Sequence, residues 1–409
     1  MSVRPQAGRD WQDSLRHVRA VGALTPLVVF QSGALAAWTG LPVFWWWGMC
    51  TFFVVAPLLE RVLGSSDANP PEPVADSLER SLYYRCCLWL YVPLEYAALV
   101  WACAQWGRQD LAVLDAVGLA MTVGVTAGMG INVAHELGHK KERRERLLGR
   151  ITLAPACYGH FCVEHNQGHH VRVATPEDPA SSRMGESLWA FVLRSTSQGV
   201  RSAWRLERRR LTRRGRRVMG RHNDVLTSWA MSATLFTGLV VCFGVRVLPY
   251  LLIQAVAGAV LLESVNYLQH YGLLREERRP GRYERVGPRH SWNSGDTLSG
   301  ILLFQMPRHS DHHARPLTRY QALHHREEAP QLPYGYSTMI LLAWFPPLWR
   351  RVMDPRLLEH CRGDLSRINI HPPARRLLTE RHGMQGRGVP ARRGEPGAVS
   401  GQPDSTLFT

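Results

Sequence analysis

Nine of the 18 histidines in this 409-residue chain fall into four short clusters. HELGH holds His135 and His139, and HNQGHH holds His165, His169 and His170. NYLQHYG supplies His270, and HSDHH supplies His309, His312 and His313. Residues three or four apart on a helix share a face, so each paired cluster is expected to aim two imidazoles at one centre. Nine donors exceed the three protein ligands of a catalytic zinc. They match two metal ions with four or five imidazoles each. Imidazole ligates zinc, copper, iron and nickel, so donor type alone does not choose the metal. The acidic neighbours Glu136, Glu164, Asp178 and Asp311 are expected to accept imidazole N–H bonds and fix the rings.

HELGH is also H-E-x-x-H, the pattern of zinc metalloproteases, with Glu136 in the place of the general base. That scheme needs one further ligand and leaves the remaining histidines without a task. A metal transporter would spread its histidines along a crossing path, whereas the sixth apolar run carries only His270, at its end. Two redox metals reached from apolar helices suit oxygen activation on a lipid-soluble substrate. Iron changes oxidation state as O–O cleavage requires, and zinc does not. His290, in PRHSWNS, is a candidate to support a ligand, while His222 reads as solvated.

The elements that must position these histidines are apolar. Six runs approach the roughly 20 residues that span a bilayer: 21–39, 41–59, 88–106, 111–134, 225–245 and 247–268. Very short links pair them into hairpins. Basic residues then set the orientation. Arg4, Arg9, Arg16 and Arg19 precede the first run, Lys140, Lys141, Arg143 and Arg144 follow the fourth, and 201–221 holds ten arginines. The positive-inside rule places both termini and the 60–87 and 140–224 segments in the cytoplasm. It thereby puts the histidine ends of the fourth and sixth runs on one side. The net charge of +16 follows a membrane edge, which argues for lipid headgroups and an acidic protein partner and against nucleic acid. The eight cysteines form no CxxC pair, which excludes zinc ribbons, a fused rubredoxin module and a disulfide framework.

HELGHKKE, GHHVRVATPEDPASSRMGES, NYLQHYGLLR, PRHSWNS and MPRHSDHHARP together resemble the integral-membrane alkane 1-monooxygenases. The likeness runs from the NPPEP loop at 69–73 to MDPRLLE at 353–359. The three-box histidine pattern is shared more loosely by membrane desaturases and xylene monooxygenases. The resemblance implies an all-α membrane protein of six transmembrane helices with a cytoplasmic histidine-rich cap. It implies that the nine histidines hold two non-haem irons. It further implies hydroxylation of the terminal methyl of medium- to long-chain n-alkanes by O2 in a bacterial inner membrane. Electrons would come from NADH through a reductase and a separate rubredoxin, an acidic partner that suits the arginine-rich face. Aromatic methyl hydroxylation and acyl-chain desaturation are the alternatives.

Three residues bear on specificity. In the family a bulky residue of the second helix limits chain length, and spacing to PLLE puts Phe52 there. Gln269 stands before His270 where the family usually has Glu, and xylene monooxygenases carry Gln at this point. Glu263, seven residues before His270, is expected to replace part of that missing acidity. The domain plan is a cytoplasmic arm at 1–20 and a membrane domain at 21–380 with catalytic segments 135–224 and 269–380. A basic tail at 381–409 is expected to be disordered.

Overall fold

A computed structural model of the chain describes residues 11, 13–108 and 110–383. Six helices are long and apolar enough to cross a membrane: Ala20–Thr39, Pro42–Leu63, Leu82–Gly107, Val113–Gly138, Asp224–Phe243 and Val245–His270. Each matches an apolar run of the sequence, with two informative differences. The fourth helix continues to Gly138 and the sixth to His270, beyond the apolar windows. Hydropathy marks where lipid contact ends, whereas the helical ladder continues wherever protein partners replace lipid. Those extra turns carry His135 and His270.

The hairpins are built by local signals. Gly40 adopts a left-handed φ of 69° after the first span, and nothing stands where its Cβ would be. Asn223 caps the fifth span, its side chain accepting from the Val225 and Leu226 N–H groups. The second span is irregular. A 3-10 turn at Pro42–Trp46 leads into Trp47–Cys50, then a π-turn at Thr51–Val55, then Ala56–Leu63.

The fourth span is the most enclosed and packs against the sixth through glycine. A Cβ on Gly128 would stand 2.7 Å from Leu261, and one on Gly258 would stand 3.0 Å from the Gly128 nitrogen. Small residues let two membrane helices approach this closely. Gly124 and Gly128 of the GxxxG pattern thus face the sixth span, and the contact fixes His135 relative to His270. Trp45 packs on Trp101 with ring centroids 6.4 Å apart, and Trp46 covers Gly118.

Further helices close the histidine end of the spans, among them the long Leu188–Arg213 and the shorter Arg143–Leu153, His309–Ala314 and Tyr336–Trp344. A two-stranded hairpin pairs Glu277–Arg279 with Arg282–Tyr283. Glu60, on the second span, accepts from the Ser337 N–H at 3.0 Å and the Thr338 hydroxyl at 2.7 Å. A carboxylate at a helix N-terminus is stabilised by the unpaired N–H groups there. This contact ties the second span to the Tyr336–Trp344 helix.

The segment from Pro372 onward is a separate unit. Its described part is a 3-10 turn, Pro372–Ala374, and the helix Arg375–Gly383. The expected disordered tail begins inside that helix. Its remaining residues, 384–409, lie outside the described ones, as do residues 1–10 and 12 of the N-terminal arm.

Candidate metal centre

The nine histidines divide into a group of five and a group of four. His135, His139, His165, His170 and His312 form the first, and His169, His270, His309 and His313 the second. Within each group the ligand atoms lie within 4.8 Å of one another. Neither group includes a carboxylate or thiol among the described residues.

The partition follows from helix geometry. His135 and His139 sit four apart at the end of the fourth span and share a group. His309 and His313 are likewise four apart on one short helix and share the other, while His312 turns to the first. The HNQGHH cluster departs from the expectation that His165 and His169 aim at one centre. His165–His169 is a π-turn, and in that geometry residues five apart come into register. His165 Nε2 therefore meets His170 Nε2 at 3.0 Å, and His169 turns to the second group. A Cβ on Gly168 would stand 2.5 Å from both Arg172 and Glu164, so a larger residue there would push this ion pair aside.

The donor atoms fit metal ions. His165 Nε2 faces His139 Nε2 at 3.1 Å as well as His170, and His309 Nε2 faces His270 at 3.2 Å and His313 at 2.9 Å. A neutral imidazole carries one N–H, so such convergent nitrogens do not satisfy one another. Among the described residues His135 Nε2 and His169 Nε2 have no hydrogen-bond partner. Two nitrogens about 2.1 Å from one ion stand about 3.0 Å apart at a right angle and about 3.4 Å apart at the tetrahedral angle. Spacings of 2.9–3.2 Å would let neighbouring nitrogens share one ion. Burial holds His139, His165, His309, His312 and His313 well below the usual histidine range, with neighbouring rings adding to the effect. Burial likewise takes His170 down to about 3. Burial therefore favours the neutral form of these six rings, the form in which imidazole ligates a metal.

Among the four acidic neighbours, Asp178 meets a ring. Its Oδ2 accepts from His169 Nδ1 at 2.9 Å and from the Ser181 hydroxyl at 2.6 Å. Burial pushes this carboxyl up, but His169 and Ser181 outweigh it and hold it at about 2. The other three turn to cations or backbone, which is a correction to the sequence expectation. Glu136 pairs with Lys140 at 2.8 Å and accepts from the Tyr320 N–H. Glu164 pairs with Arg172 at 2.6 Å, and burial still pushes it up to about 7. Asp311 takes Arg315 and Arg326 and accepts from the His324 N–H. A nearby guanidinium or ammonium is a stronger donor to a carboxylate than a neutral imidazole. Lys140 and Arg315, each four residues after its acid, were the readable signal.

Gln269 and Glu263 do not share a partner. Gln269 donates to the Tyr336 hydroxyl at 2.9 Å, and Glu263 accepts from Tyr158 at 2.5 Å. Glu263 lines a small cavity with His165 and His169. His290 belongs to neither group. It accepts from the Gly287 N–H and meets Glu284 at 3.0 Å. Sequence reasoning missed Tyr158, Tyr336 and Ser181, whose partners are set by folding rather than spacing.

Phe52 is buried and lines an apolar cleft between the second, fourth and sixth spans, with Gly128, Met129, Asn132, Leu262 and Met306. Asn132 stands one turn before His135 and donates its amide to the Leu303 carbonyl at 2.7 Å. The cleft therefore presents apolar surface beside the histidines.

Residues 113–343 match the Fatty acid desaturase family. The alkane 1-monooxygenase 1 of Alcanivorax borkumensis is 41% identical over 381 residues, covering 91% of this chain and 93% of that protein. An alkane 1-monooxygenase of Pseudomonas putida is 44% identical over 341 residues, 83% of this chain and 85% of its own length. The xylene/toluene monooxygenase hydroxylase component XylM of Pseudomonas putida is more distant, at 27% identity over 77% of this chain and 84% of that protein. With its six apolar helices and two histidine groups, this chain belongs to the alkane 1-monooxygenase family.

Proposed function

We propose that the nine histidines hold two iron ions and that the chain hydroxylates the terminal methyl of medium- to long-chain n-alkanes with O2. The observation that carries this reading is two buried imidazole groups with an apolar cleft one helical turn from His135. Bound iron supplies the change of oxidation state that dioxygen cleavage needs.

The chain's own residues supply the rest. Met129, Leu262 and Met306 bind an alkyl chain by apolar contact and exclude water from the reacting end. The cleft runs between helices, so a chain enters end-on and only its last carbon approaches the histidines. Phe52 stands in that path and limits how far a chain extends. Asp178 fixes the tautomer of His169, leaving Nε2 bare for the metal. Glu136, Glu164 and Asp311 hold the helices that carry the rings through Lys140, Arg172 and Arg315.

Charge supports an orientation with the histidine end in the cytoplasm of a bacterial inner membrane. Arginines of the Leu188–Arg213 helix and its flank then face an acidic carrier, rubredoxin, reduced by an NADH-dependent reductase. The test is product analysis with purified chain, rubredoxin and reductase under labelled dioxygen, with octane, hexadecane and xylene in one panel. Labelled primary alkanol is expected. Labelled benzylic alcohol alone, or an alkene, would overturn the substrate assignment.

A further inference from the structure

A second cavity, of about 540 Å³, lies beside the inner cleft between the same three spans. This is the size of an ordinary small-molecule pocket, roughly 300–1,000 Å³. Its lining is apolar and includes Met49, Phe53, Val125, Val256 and Trp344. Leu261 lines both cavities. Leu252 and Val256, on the outer wall, are 51% and 62% exposed on the surface of a membrane span. The cavity therefore opens sideways, toward hydrocarbon.

Between the two spaces stand adjacent aromatic residues. Phe52 lines the inner cleft and Phe53 the outer cavity. Their rings meet edge to face at 4.9 Å. Phe53 packs on Trp344 at 4.8 Å, and Trp344 on Trp189 at 6.1 Å. The Trp189 indole N–H donates to the Trp344 carbonyl at 3.2 Å. Four aromatic rings thus run from the inner cleft to the exposed Trp189. Phe52 and Phe53 both lie in the π-turn Thr51–Val55, a local irregularity of the kind concentrated at functional sites.

The inner cleft has only about 20 Å³ free, room for one water-sized sphere. An alkyl chain reaching the histidines must displace a ring. Phe52 touches Phe53, so movement of one is felt by the other. We propose that Phe53, seated against Trp344, is a second specificity-determining residue. It controls the lateral mouth by which an unbranched alkyl chain passes from the bilayer to the inner cleft, and it sets the longest accepted chain jointly with Phe52. This rests on the alkane reading above.

The test compares wild type with Phe53→Ala, Phe53→Trp and Phe52→Ala. Octane and hexadecane compete in turnover with rubredoxin and reductase. In parallel, terminally brominated octane and hexadecane are titrated into the iron-free protein in nanodiscs, with quenching of tryptophan fluorescence as the signal. Phe53→Ala is expected to raise the hexadecane-to-octane ratio about tenfold in both assays, and Phe53→Trp to lower it, on the scale of pocket discrimination. If Phe53→Ala does not fold, Phe53→Leu takes its place, with a smaller shift in the same direction. Wild-type ratios in the Phe53 variants, while Phe52→Ala shifts them, would overturn the proposal. Failure of wild type to make any alkanol would strike the alkane reading instead, and the bromoalkane order would still report on the mouth.

Discussion

Gln269 donates its side-chain amide to the Tyr336 hydroxyl at 2.9 Å, immediately before His270. The contact joins the sixth span to the helix that Glu60 caps, and it does not border the inner cleft. Gln269→Glu is therefore expected to leave the octane-to-xylene product ratio unchanged, because the new carboxylate can accept from Tyr336 in place of the amide. Gas chromatography of a mixed-substrate reaction checks this. A shift toward benzylic alcohol would tie this position to substrate choice.

Asp178 is the carboxylate that meets an imidazole of the centre. Asp178→Ala frees the His169 ring and also removes the acceptor of the Ser181 hydroxyl. A loss of about 10–100-fold in metal affinity or activity is expected. Iron per chain after dialysis against a graded chelator is the measurement, and wild-type retention would refute the role.

His309 and His290 make a matched comparison. His309 Nε2 meets two other imidazoles, whereas His290 is held by Gly287 and Glu284. His309→Ala is expected to empty the four-histidine group, so that bound iron falls toward half. His290→Ala and His222→Ala are expected to keep full iron. Elemental analysis of the purified variants decides it.

Asp296 gives a pH dependence away from the histidines. It accepts from the Ser299 N–H at 2.6 Å. Burial pushes its carboxyl up to about 6, with Glu60 adding, although the Ser299 bonds oppose this. A raised acid binds its proton more tightly in the folded state. Its stabilising contribution is full below the ordinary value of 3.8 and is lost as pH rises through about 6. Asp296→Asn keeps an acceptor for Ser299 and removes the charge. Its Tm is expected to exceed that of wild type near about pH 7.5 and to match it near about pH 4. Equal Tm values at both would show that the carboxyl is not perturbed.

Much of the scaffold was legible because its signals are local. Length and hydropathy mark six spans, and four-residue spacings bring His135 to His139 and His309 to His313. Lys140 after Glu136 and Arg315 after Asp311 were equally local, and reading them would have assigned both acids to cations. Other features depend on folding. Asp178 reaches His169 through the turn that starts at Thr175. Gln269 and Tyr336 are 67 residues apart. The sorting of HNQGHH depends on a π-turn, which a period of 3.6 residues does not anticipate.

That turn makes the centre a matter of counting. A π-turn is equivalent to one extra residue inserted into an α-helix. Removing Asn166 or Gln167 would keep every histidine of the cluster and return the turn to α-helical counting. His170 would then stand four from His165, and Arg172 seven from Glu164, spacings that share one face of an α-helix. The extra residue thus lets spacings of five and eight do what four and seven do elsewhere, so the nine donors are sorted by phase and not by distance along the chain.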